Sequence, residues 1–153
     1  MIRKAIKNDI KVLEGLQEFI ESLEIDILKN YSIVKIQDIL KFVFLSEDDR
    51  FSYKNCMVYE NDGKIKGFSF SYHYNEVEKM KKFWFNEVVK KFNLKQDDII
   101  FDYNEVLEKE FYLDTLYVFS EYRGEGVGNK LLASFVNSSN TLLSLNVAQS
   151  NTR

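Results

Sequence analysis

The stretch 110–132, EFYLDTLYVFSEYRGEGVGNKLL, sets the strongest constraint on how this chain can fold. A β-rich apolar run ends near Phe119, a loop carries Gly124, Gly126 and Gly128, and an apolar-periodic helix follows. Glycine loses more backbone freedom on folding than any other residue and weakens strand and helix alike. Yet three of the chain's six glycines fall within these five positions. Missing Cβ atoms at such a junction let another group approach the backbone closely. The first turn of the following helix offers unsatisfied N–H donors and the positive end of its dipole. Strand, glycine loop and helix is therefore the arrangement of an anion site. Arg123 stands at the loop mouth, where a guanidinium adds a charged contact. The plainer alternative is a tight turn with no ligand.

Counting excludes two familiar phosphate loops. A dinucleotide fingerprint starting at Gly124 needs a glycine where Asn129 stands. A P-loop needs Gly-Lys-Ser/Thr, and here Asn129 precedes Lys130 and Leu131 follows it.

Hydrophobic periodicity lays out the rest. Residues 2–6 predict a first strand, with Asn8 as the N-cap of a helix whose apolar face is Ile10, Leu13, Leu16, Ile20 and Leu23. Ile33, Ile36, Ile39, Leu40 and Val43 predict a second helix. Asn61-Asp62-Gly63 between two β-rich runs predicts a hairpin. Val77, Met80, Trp84, Val88 and Phe92 predict a third helix, 110–119 a buried strand, Gly128 to Val136 a helix, and 141–147 a last strand.

The 153 residues make one domain. Net charge is −3 and pI about 5.3, so no broad basic face for nucleic acid is implied. No apolar run is long enough to span a membrane. One cysteine, Cys56, forms no internal disulfide and fits a reducing cytoplasm. With His73 the only histidine, a structural zinc site of the usual ligands is excluded, and no metal is expected.

The spacing Arg123-x-x-Gly126-x-Gly128, with Gly124 and the preceding LDTLYV, resembles the GCN5-related N-acetyltransferase superfamily. The likeness runs from about 112 to 153, with the cofactor motif at 112–132, and the order of elements before it agrees. It implies a single α/β domain with a central, mostly antiparallel twisted sheet flanked by helices, and acetyl-CoA as co-substrate. Leu116, Tyr117 and Val118 are then expected along the pantetheine arm. Arg123, Gly124, Glu125, Gly126, Val127, Gly128 and Asn129 are expected around the phosphates, and Asn151 beside the arm. The implied reaction is acetyl transfer to a primary amine of a small molecule or a peptide. A non-catalytic coenzyme A-binding or regulatory module is the alternative.

Transfer to an amine needs a proton acceptor for the incoming ammonium. A period of two puts Glu110, Tyr112, Asp114 and Leu116 on one face of the strand. Several relatives carry a glutamate base where Tyr112 stands, so Asp114, and after it Glu110, are the candidates here. Relatives also continue past the last strand into a helix that carries a proton-donating tyrosine. With the sequence ending at Arg153, the expectation is slow turnover and a last strand that either pairs with another chain, such as a second copy in a homodimer, or is poorly ordered.

Overall fold

The computed structural model describes residues 1–103, 109–139 and 141–145. Five strands form one sheet in the order β1-β2-β3-β4-β5: Ile2–Lys4, Cys56–Asn61, Lys64–His73, Glu110–Val118 and Leu142–Leu145. The first three pairings are antiparallel and β4–β5 is parallel. The expected mixed α/β domain is thus the observed one. Asp62 and Gly63, at φ +51° and +70°, join β2 to β3 in a two-residue turn whose twist suits a hairpin.

Helices cover both faces. Alternation along β3 sends Phe68, Phe70 and Tyr72 to one face, exposed by 0, 0 and 3%. There they meet α1 (Lys11–Ser22) and the core that includes Ile27 of the short α2 (Ile27–Asn30) and α3 (Ile33–Leu45). Gly67 lies on the opposite face, against α6 (Val127–Asn137). Two glycines make these approaches close. A Cβ on Gly15 of α1 would lie 2.6 Å from the Phe68 ring and 2.9 Å from Tyr117. One on Gly67 would lie 2.8 Å from the Tyr117 carbonyl and 2.9 Å from Val127 of α6.

Local expectations are adjusted in three places. Asn8 does not cap α1; the helix begins at Lys11, after a turn in which the Asp9 carboxylate accepts from the Ile6 N–H and binds Arg3. The buried face of α1 is Val12, Gly15, Leu16 and Ile20, while Ile10 and Leu23 are exposed. The third predicted helix is α4 (Val77–Phe83), a π turn (Trp84–Val88) and α5 (Val89–Lys91), with Val77, Met80, Trp84 and Val88 buried as expected. The Trp84 indole N–H donates to the Asp98 carbonyl at 2.7 Å, so that side chain is core.

Candidate active site

Strand β4 organises the site. Opposite Phe70 stands Thr115 and opposite Ser71 stands Leu113, so Asp114 is the extra residue of a β-bulge. The bulge breaks the simple alternation expected for this strand. Tyr112, Thr115 and Tyr117 sit opposite Tyr72, Phe70 and Phe68 on the α1 face, whereas Leu116 lies opposite Ser69 and turns towards α6. The expected common face of Glu110, Tyr112, Asp114 and Leu116 therefore does not form.

Hydrogen-bond phase decides which backbone groups of β4 remain available. Phe119 N–H donates to Lys66 O at 3.1 Å, and these residues stand directly opposite in the register that pairs Gly67 with Val118. In an antiparallel ladder, hydrogen-bonded and non-bonded pairs alternate. Tyr117 is therefore engaged with Phe68, while Leu116 and Val118 turn their N–H and C=O groups to the opposite edge. On that edge β5, as described, accompanies β4 only from Glu110 to Leu113. The Val118 carbonyl accepts from Arg123 Nε at 3.1 Å.

Beyond this edge the chain enters the glycine loop. Gly124 and Gly126 have φ of +86° and +81°, a region that side-chain-bearing residues rarely adopt, and nothing lies within 4 Å of a Cβ built on either. Gly126 is the N-cap of α6 and no side chain caps the helix. Lys130 N–H makes the first helical bond, to Gly126 O, so the N–H groups of Val127, Gly128 and Asn129 form the uncapped first turn. Glu125 would oppose an anion, but its carboxylate is paired with Lys66 Nζ at 2.8 Å, which also ties the loop to β3. The space and the donors together suit a phosphate group. Asn151 lies outside the described residues.

On the α1 face the Tyr117 ring is 8% exposed, and its hydroxyl donates to the carboxylate of Glu18, an exposed residue. Burial, and then this hydrogen bond, push the Tyr117 hydroxyl up to about 12. The Arg123 guanidinium stands 5.8 Å from the Tyr117 ring centre. Glu18 went unnoticed in the sequence because its partner is 99 residues away. The one available signal was Gly15, a glycine inside an apolar-periodic helix.

Asp114 was expected to face an acceptor amine, but it projects into a buried cluster. Its Oδ2 accepts from Arg50 Nε at 2.8 Å and from the Tyr72 hydroxyl at 2.7 Å, and its Oδ1 from the Thr115 hydroxyl at 3.1 Å. Arg50 also donates to Phe101 O and to the Tyr72 hydroxyl. Burial and the Asp114 charge push the Tyr72 hydroxyl well above its usual range. Next to Arg50, Asp49 is fully buried; its Oδ1 accepts from Phe51 N–H, its Oδ2 has no partner among the described residues, and burial pushes its carboxyl up to about 7. Glu110 is 7% exposed, at the start of β4 and the far end from the glycine loop. His73 packs against Phe111, ring centres 4.5 Å apart, and Cys56 is buried, which pushes its thiol well up. Among the described residues no group of side chains is arranged to hold a metal, and no helix is long and apolar enough to cross a membrane.

Comparison with known proteins gives a consistent result. No protein-family model matches the sequence, and no curated protein matches it significantly. Among solved structures, an N-acetyltransferase from Staphylococcus aureus Mu50 is similar at a TM-score of 0.83 and 26% identity, over 99% of this chain and 83% of that one. A second acetyltransferase is similar at 0.78 and 28% identity, over 99% and 82%. An aminoglycoside acetyltransferase from an uncultured soil metagenomic sample, solved with sisomicin, shares the fold at 0.50 and 18% identity.

Proposed function

The chain belongs to the GCN5-related N-acetyltransferase superfamily, and from that premise we propose that it moves an acetyl group from acetyl-CoA to a primary amine. One observation carries the reading. The outward N–H and C=O of Leu116 and the outward N–H of Val118, which pair with no described strand residue, lead directly into a loop whose glycines and helix N-terminus can receive a pyrophosphate. Pantetheine, with its two amides, behaves as a short peptide that can add to such an edge. Val118, next to the loop, would bond the arm through its N–H. Leu116 N–H, further from the loop, would donate to the thioester oxygen, where negative charge grows as the amine attacks. Val127, Gly128 and Asn129 would donate to the phosphates, with Arg123 beside them.

The thioester supplies an activated acetyl carbon; the chain's part is to hold it and to handle protons. We assign Asp114 to the folded scaffold, because its hydrogen bonds run to Arg50, Tyr72 and Thr115. The acceptor enters this reading only as an amine, of a small molecule or of a peptide.

Calorimetry with coenzyme A and acetyl-CoA, followed by thiol release in the presence of a panel of primary amines, tests the proposal. Binding together with amine-dependent thiol release is the expected result. Binding with no release for any amine would select the non-catalytic module, and absence of binding would remove the proposal.

A further inference from the structure

Glu18 and Tyr117 join the strand proposed to hold acetyl-CoA to helix α1, and the way they meet has a chemical consequence. Tyr117 shares β4 with Leu116 and Val118, yet its side chain leaves on the other face of the sheet. Gly15 makes room for it, since any Cβ there would stand 2.9 Å from its ring. One helical turn further on, Glu18 accepts the phenol hydrogen. A helix residue three positions after another lies on the same face, so the absent side chain at 15 opens the path to the carboxylate at 18. The ring is 8% exposed while Glu18 is an exposed residue. One partner is therefore fixed in the wall, and the other presents a carboxylate to solvent.

An ionised carboxylate has about four acceptor sites, and the phenol occupies one. The charges around it are few. Lys11, two turns earlier, is paired with Glu14 at 2.5 Å, and Arg123, which stands beside Tyr117, is bonded to the Val118 carbonyl. No ion pair to Glu18 occurs among the described residues. A carboxylate held by a neutral phenol keeps its whole charge, whereas a lysine in place of the phenol would neutralise it.

We infer that Glu18, positioned by the Tyr117 hydroxyl, receives the ammonium group of the acceptor and takes its proton. This rests on the proposed acetyl transfer. The step balances without any further reagent. The ammonium gives one proton to the Glu18 carboxylate, directly or through a water, and the freed nitrogen lone pair attacks the thioester carbon. The C–N bond forms and the C–S bond breaks. The nitrogen's second proton leaves for the departing thiolate, giving an amide and a free thiol, and Glu18 returns its proton to solvent. Glu18 would be a catalytic residue and Tyr117 a positioning one.

The test uses the full chain and two acceptors, 1,4-diaminobutane, which is cationic at neutral pH, and hydroxylamine, which is not. Thiol release gives kcat/KM for each, and calorimetry gives the acetyl-CoA Kd. For Glu18→Gln the ratio of kcat/KM, diaminobutane over hydroxylamine, should fall at least tenfold, with the Kd within threefold of the original protein. Tyr117→Phe should lower the same ratio less and move the acidic limb of its pH profile, which loss of packing alone would not do. An unchanged ratio in Glu18→Gln would overturn the inference alone. No acetyl-CoA binding by the original protein, or binding with no thiol release for these acceptors or the amine panel, would instead overturn the parent reading and this inference with it.

Discussion

Arg50 and Asp114 form an ion pair inside the core, with Nη2 and Oδ2 2.7 Å apart and side chains 3% and 1% exposed. Four aromatic rings, of Phe51, Tyr72, Phe101 and Tyr103, stand within 6 Å of the guanidinium carbon. Removing one partner of a buried pair leaves the other charge uncompensated, at about 3–5 kcal/mol. Asp114→Ala should therefore lower unfolding stability by about that amount in a urea titration. A loss of turnover at unchanged stability would return Asp114 to a direct part in proton transfer.

Asp49 should make stability fall with rising pH. Its carboxyl is raised from 3.8 to about 7 in the folded state. Between those values the native chain binds more protons than the unfolded one, so stability decreases as pH increases. The cost is absent below pH 3.8 and complete above about pH 7. Asp49→Asn removes the titration. Relative to the original protein, its melting temperature should rise as pH goes from 5 to 8. Parallel melting curves for the two proteins across that range would contradict the burial argument.

Gly126 is replaceable in volume but not in conformation. Nothing lies within 4 Å of its would-be Cβ, while its φ is +81°. A side chain in the left-handed region costs about 1–2 kcal/mol, and a β-branched one adds stiffness at χ1. Gly126→Val should keep the fold and weaken coenzyme A binding at least tenfold, about 1.4 kcal/mol. An unchanged Kd in calorimetry would remove the loop from the cofactor site.

Gly15→Ala tests the approach of α1 to the sheet. The added methyl would enter 2.6 Å from Phe68, far inside contact distance. Overpacking of this kind costs about 1–3 kcal/mol, against a gain of about 1 kcal/mol in helix propensity. A net loss of stability is expected by thermal unfolding. A stabilised variant would mean that the α1–β4 contact yields easily, and would weaken the case for a fixed Tyr117.

Periodicity made most of this architecture legible. The Asp62-Gly63 turn, the strand entering the glycine loop and the apolar stripe of α3 all follow from local patterns. What stayed hidden was long-range. A period of two cannot foresee a bulge, which depends on how Phe70 and Ser71 of another strand are matched. The arginine that answers Asp114 lies 64 residues away. Glu18 looked like an ordinary solvent-facing helix residue, and only the fold brings Tyr117 to it.

The bulge in β4 has one more consequence. Tyr112 and Leu113 before it, and Thr115 and Leu116 after it, alternate in step with β3 as though Asp114 were absent. The strand is thus one residue longer than its pairing requires, and the surplus residue is the carboxylate that neutralises Arg50. Deleting Asp114 would leave a regular strand with every other side chain on its present face. The ladder would survive in register, and the guanidinium beside it would lose the Asp114 carboxylate.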